Sequence, residues 1–177
     1  MRGRGIKSTV MIALFAAVIC ICSLISIPIL SVPITLQTFA IPMTLFILGG
    51  LRGLCSVAVY IAIGAIGLPV FSGFSGGVGA LFGATGGFII GFLLIGAVYT
   101  ALTAVFGKGK RMRLCAYALG HLLMYALGAI WFYVGFSSGS SFIEVLTVVI
   151  LPYIIPDIVK VLLAYAISQK LRKGLKI

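Results

Sequence analysis

Acidic side chains are almost missing from this chain. Glu144 and Asp157 are the only two in 177 residues, set against thirteen lysines and arginines and one histidine, His121. Charged residues of either sign make up 8% of the chain, where a soluble domain devotes about a quarter of its residues to charge. Such a chain cannot cover a water-facing surface, so its solvent is lipid. With so few acids and one histidine, neither a metal site nor a catalytic carboxylate pair is expected. Four cysteines occur, at 20, 22, 55 and 115. Cys20 and Cys22 stand two positions apart on one apolar helix and point in different directions. Neither a disulfide framework nor a zinc site is supported, and all four read as small buried apolar residues. The chain also lacks a Walker A motif and the dinucleotide fingerprint G-x-G-x-x-G, so it needs no nucleotide cofactor of its own. The net charge of +11 suggests nucleic-acid binding only until the charges are placed. They follow the membrane segments instead of lining a solvated face, and nucleic acid is excluded as a partner.

What the chain has is apolar sequence: 62% of residues, with a mean hydropathy of +1.31. A membrane-crossing helix takes roughly 20 apolar residues, so six crossings nearly exhaust the length. The expectation is an all-α integral membrane protein, one domain over 1–177, with helices at 9–28, 36–50, 54–67, 85–106, 114–136 and 142–171. The last is interrupted by Pro152 and Pro156. The N-terminal stretch with Arg2, Arg4 and Lys7 looks like the start of a signal peptide. The apolar run behind it is too long for one and lacks a small-residue cleavage site, so it reads as a retained first helix.

Twelve of the thirteen basic residues fall on one side of the alternating path. Three precede the first helix, Arg52 follows the second, Lys108, Lys110, Arg111 and Arg113 follow the fourth, and Lys170, Arg172, Lys173 and Lys176 end the chain. The loops on the other side, which include Ser31, Ser72 and Ser138, carry none. The positive-inside rule then puts both termini in the cytoplasm of a multi-pass membrane protein. The second and third helices are short, about 14 residues or 21 Å each, and could form a re-entrant hairpin. Arg52 at their junction argues for a full crossing, because charge at mid-bilayer is costly.

The thirteenth basic residue, Lys160, lies inside the last apolar segment, three positions after Asp157. On a helix that spacing puts both side chains on one face. Ionisable groups in a membrane segment usually face a cavity. The pair therefore reads either as a ligand site or as a structural ion pair that fixes helix register. Pro156 suits a first helical turn, so the last helix is expected to restart there with Asp157 near its N-terminus. The glycine-rich loop 67–87 offers backbone N–H groups, with Ser75 and Thr85, to a small carboxylate. Gln37, in the uncharged first outer loop, can donate and accept. His121, four residues before Tyr125, reads as a packed, hydrogen-bonded residue or a proton relay. Trp131 and Tyr133 suit an aromatic belt, and Trp131 could equally stack on a ligand ring. Gly79, Gly83, Gly87 and Gly91 form a ladder for close helix packing, and Ala13 with Ala17 a second small-residue surface, for packing within the chain or against a partner.

Four stretches carry a family resemblance: V-P-I-T-L-Q-T-F at 32–39, G-L-P-V-F-S-G-F-S-G-G at 67–77, T-G-G-F at 85–88 and P-D-x-x-K at 156–160. Together they resemble BioY, the biotin-binding S components of energy-coupling-factor (ECF) vitamin transporters. The chain departs from the family pattern at Ala84, where proline is usual, and at Ile155-Pro156-Asp157, where Pro-Gly-Asp is usual. The resemblance implies a six-helix S component in a bacterial plasma membrane that captures biotin and is not an enzyme. A transmembrane scaffold (T component), contacted through Ala13 and Ala17, and two ATPase subunits that hydrolyse ATP would be its partners. It implies a substrate site drawn from Gln37, Phe74, Ser75, Gly76, Gly77, Thr85, Tyr125, Asp157 and Lys160. An S component or solitary carrier for another small vitamin is the alternative. An intramembrane enzyme using Asp157 and His121 lacks a second acid or a metal set.

Overall fold

In lipid every backbone polar group must find its partner inside the protein, and this chain does so almost wholly by forming helices. The computed structural model describes residues 2–28, 32–137 and 139–175. Ser31 and Ser138, in the expected outer loops, and Lys176, in the basic tail, lie outside the described residues. In chain order the elements are α1 (Arg2–Leu24), β1 (Ser26–Ile27), β2 (Ile34–Thr35), α2 (Gln37–Leu48), α3 (Gly50–Ala65), a 3-10 turn (Ser72–Phe74), α4 (Val78–Leu81), α5 (Gly86–Val105), α6 (Lys110–Phe136), α7 (Phe142–Val149) and α8 (Leu151–Leu175).

Among the described residues four segments are long and apolar enough to cross a membrane: Gly5–Leu24, Gly86–Val105, Lys110–Phe136 and Phe142–Gly174. The two shorter apolar helices, α2 and α3, meet at Gly49, whose φ of +83° is open to glycine but strained for other residues. α2 begins at the ligand-sized cavity described below. It ends beside Lys108, Arg113 and Arg172, which line a small pocket with Gly49 and Gly50. The α2–α3 junction therefore reaches the end of the bundle that gathers basic residues, as Arg52 suggested.

α5 and α6 form the central pair, with α3 against α5, α2 against α8 and α1 against α3. The close approach of α5 to α6 depends on small residues. A Cβ at Gly91 would press on Met124, one at Gly87 on Trp131, and one at Gly120 on the Ile95 backbone. The expected four-rung glycine ladder is thus shorter. Gly79 lies in α4 and Gly83 in the turn before α5, and only Gly87 and Gly91 lie on α5. The covering helix comes from the same chain. On α1, by contrast, Ala13 and Ala17 are exposed, along with Val10, Leu14 and Ile21.

The last segment corrects an expectation. Its break falls at Ile150 (φ −124°, ψ −53°), and α8 starts at Leu151, not near Pro156. Two prolines compete for the start, and Pro152 takes the first turn, where a missing N–H goes unnoticed. Pro156 lies a turn further in, inside the helix, with no N–H to give the Pro152 carbonyl. Asp157 therefore sits in the body of α8. Of the cysteines, Cys20 is buried, Cys22 and Cys55 are half-buried, and Cys115 is exposed. Cys115 departs from the buried reading because it lies on an outward face of α6, where an apolar thiol suits lipid as well as a core.

Candidate functional site

The glycine-rich loop is pinned before it lines anything. Phe71, 1% exposed, sets its ring where a Cβ on Gly64 of α3 would stand. That ring meets Tyr60 edge-on at 5.5 Å. Gly77 adopts φ +84° and donates its N–H to the Gly64 carbonyl (2.7 Å). Trp131 Nε1 donates to the Gly83 carbonyl (3.0 Å). Trp131 thus ties down the loop; it is not among the residues lining the cavity. Ser23 Oγ holds the Val70 carbonyl from α1, and Tyr153 OH holds the Val32 carbonyl from α8.

Beneath these loops lies a cavity of about 220 Å³. Phe88, Ile89 and Phe92 of α5, Met124 of α6 and Phe71 form much of its apolar wall. Polar groups gather at the α2–α8 side: Thr35, Gln37, Thr38, Tyr125, Asp157 and Lys160. An apolar cavity with a few convergent polar groups is the usual form of a small-molecule site.

Asp157 is the centre of the polar side and is 4% exposed. Thr38 Oγ1 donates to its Oδ1 (2.7 Å) and Tyr125 OH to its Oδ2 (2.7 Å). Lys160 Nζ lies 3.2 Å from Oδ1 and also donates to Thr38 Oγ1 (3.0 Å) and the Thr35 carbonyl (2.8 Å). All three ammonium protons thus have acceptors. His121 Nε2 stands 3.4 Å from Asp157 Oδ2, within ion-pair reach but without hydrogen-bond geometry. Its Nδ1 meets Tyr117 OH at 3.2 Å. Among the described residues the second oxygen of Asp157 thus accepts one hydrogen bond, from Tyr125, and a carboxylate oxygen can accept a second. Gln37 Nε2 donates to Tyr60 OH (2.7 Å), which links the first loop to the anchor of the second.

Of the residues singled out from sequence, the cavity brings together Gln37, Ser75, Thr85, Tyr125, Asp157 and Lys160. It leaves out three. Phe74 is 68% exposed, in a left-handed turn (φ +57°). Gly76 packs on the Leu68 carbonyl, and Gly77 is used in the loop's own hydrogen bonding. Their motif positions shape the loop and do not line the cavity. Sequence reasoning passed over Thr35 and Thr38, although both stand in the quoted 32–39 stretch. It also passed over Tyr153 and the contact of His121 with Asp157. Among the described residues no group of three His, Cys, Asp or Glu could hold a metal.

Comparison with known proteins bears on the family and the fold. The chain is 38% identical to the probable biotin transporter BioY of Pyrococcus horikoshii, over 94% of this chain and 96% of that one. It is 36% identical to the biotin transporter BioY of Thermotoga maritima, over 90% and 92% respectively. It is also similar to a crystal structure of the S-component for biotin from an ECF-type ABC transporter. That match has a TM-score of 0.84 and 30% identity, over 98% of this chain and 94% of that chain. The profile of the BioY family matches residues 1–177, and the chain belongs to the BioY family.

Proposed function

We infer that the chain takes up biotin as the substrate-binding S component of an ECF-type ABC transporter. The observation that carries this reading is the polar cluster around Asp157 and Lys160 at one side of a mostly apolar cavity, with Ser72, Ser75 and Thr85 also on its lining. Biotin has the matching division: a ureido ring with two N–H donors and one carbonyl, on an apolar bicycle and chain. Asp157 Oδ2 suits a ureido N–H. The aromatic wall of α5 suits the apolar remainder. Lys160, whose protons are held by Thr35, Thr38 and Asp157, would meet a ligand acceptor by giving up one of those bonds.

The relatives are named as transporters, which speaks against an enzyme built on Asp157 and His121. The chain carries no ATP-binding motif, so a T-component scaffold and two ATPase subunits supply the energy. Ala13 and Ala17, exposed on α1, are the surface for that scaffold. Both termini lie in the cytoplasm, and the cavity opens outward.

Equilibrium titration of the purified chain with labelled biotin tests the reading. Saturable binding that unlabelled biotin displaces is expected. A chain that ignores biotin but retains another small vitamin through gentle purification would shift the assignment to that vitamin.

A further inference from the structure

The end of the bundle opposite the cavity has a site of its own. α2, α5 and α8 each run from the cavity to a pocket of about 80 Å³ lined by Leu48, Gly49, Tyr99, Lys108, Arg113 and Arg172, among others. Arg113 is the unusual member. It is 5% exposed, yet every partner it has among the described residues is neutral. Its Nε donates to Tyr99 OH (3.0 Å), another nitrogen donates to the Phe46 carbonyl, and the guanidinium stands 5.6 Å from the Phe46 ring centroid. Nearby, Lys110 Nζ lies 5.9 Å from the Tyr165 ring centroid on α8.

Neither acidic side chain of the protein can answer this charge. Asp157 is engaged by Lys160, Thr38 and Tyr125 in the cavity, and Glu144 caps α7 through Ser141. A buried guanidinium with two further cations beside it, and no anion from its own acidic residues, is a site built for an anion. The shape of the surroundings says which kind. A groove of about 590 Å³ adjoins the pocket, shares Gly50, Thr103 and Lys108 with it, and is lined also by Leu51, which is 67% exposed. A headgroup seated on the cations would have its acyl chains continue along that apolar groove.

We propose that this pocket binds the phosphate of an anionic phospholipid through Lys108, Arg113 and Arg172. Basic pockets between membrane helices favour such headgroups, and the proposal does not depend on which ligand the cavity takes. The test uses the full chain in nanodiscs of equal parts phosphatidylcholine and phosphatidylglycerol, with the co-released lipids weighed by native mass spectrometry. Phosphatidylglycerol should be retained in preference to phosphatidylcholine. The double variant Lys108→Gln/Arg172→Gln should lose about thirtyfold of that preference, given the usual worth of two basic side chains at a membrane surface. Lys170→Gln/Lys173→Gln removes the same charge from exposed positions of α8 and should keep the preference. Unfolding temperatures of both variants check that each folds. A second arm adds inorganic phosphate to the delipidated chain in detergent. Phosphate stabilisation lost in Lys108→Gln/Arg172→Gln, without any lipid preference, would assign the pocket to free phosphate. The proposal is overturned by the absence of both effects, or by equal losses in the two double variants, which would mean diffuse attraction to the whole basic end.

Discussion

Three side chains donate to the Asp157 carboxylate while His121 stands beside it, and Thr38, a donor 119 positions away in sequence, links Asp157 to Lys160. Such crowding separates two roles for the pair. A structural pin should tolerate loss of both charges better than loss of one, because a lone buried charge is the costly state. A ligand site should not be rescued that way. Asp157→Asn, Lys160→Met and the double variant should all stay folded in detergent, checked by thermal unfolding, and all should bind biotin far more weakly, the double variant by about a hundredfold or more. That figure corresponds to two charged hydrogen bonds at roughly 1.5–3 kcal/mol each. Near-normal affinity in the double variant would return the pair to a scaffolding role. Tyr125→Phe removes one donor to the carboxylate and should weaken binding by about tenfold on the same scale, measured by the same titration. Asp157 and Lys160 were legible in sequence because charge inside an apolar segment stands out. His121 was legible as a packed, hydrogen-bonded residue, but its contact with Asp157 was not, because the acid is on another helix and no local spacing announces it. Thr35 and Thr38 were hidden by chemistry: threonines in helices and loops are common, and only the fold gives Thr38 an ion pair to bridge and sets the Thr35 carbonyl against Lys160.

The helices themselves were largely legible, since length and hydropathy mark a membrane segment independently of its neighbours. Boundaries failed where two signals of one kind competed. Pro152 and Pro156 both qualify as a helix start, and only packing decided for the first. The two-residue ribbon of β1 and β2, with Ser26 opposite Thr35 and Ile27 opposite Ile34, is too short to leave an alternating pattern. The loop over the cavity depends on α3. Replacing Gly64 with valine would drive bulk into the space held by the Phe71 ring, and overpacking of this kind typically costs about 1–3 kcal/mol. A lower unfolding temperature with weaker biotin binding is expected, because Phe71 also lines the cavity. An unchanged unfolding temperature would mean that the ring has somewhere else to go. On α1 the reverse is expected. Ala13→Leu or Ala17→Leu adds bulk to an exposed face, so biotin binding by the isolated chain should survive while co-purification with the scaffold fails. Scaffold yield at the normal level with both variants would remove α1 as the docking surface.

For the molecule as a whole, the basic end and the cavity end are opposite poles, and the orientation in the membrane follows from which pole faces the cytoplasm. In a chain whose native cysteines are replaced, a cysteine at Lys110 should react with an impermeant thiol reagent only after the membrane is opened. One at Ser72 should react from outside, more slowly when biotin is present, since Ser72 lines the cavity. Outside labelling at Lys110 would invert the assignment. The ammonium of Lys160 already holds three acceptors within the protein, so a ligand that calls on it exchanges one hydrogen bond for another and gains little heat from doing so. Burial of the apolar remainder against the aromatic wall then supplies much of the driving force, beside the bond to Asp157. In a calorimeter, binding should carry a modest enthalpy and a distinctly negative change in heat capacity, a temperature signature that belongs to the wall although specificity resides in the charges.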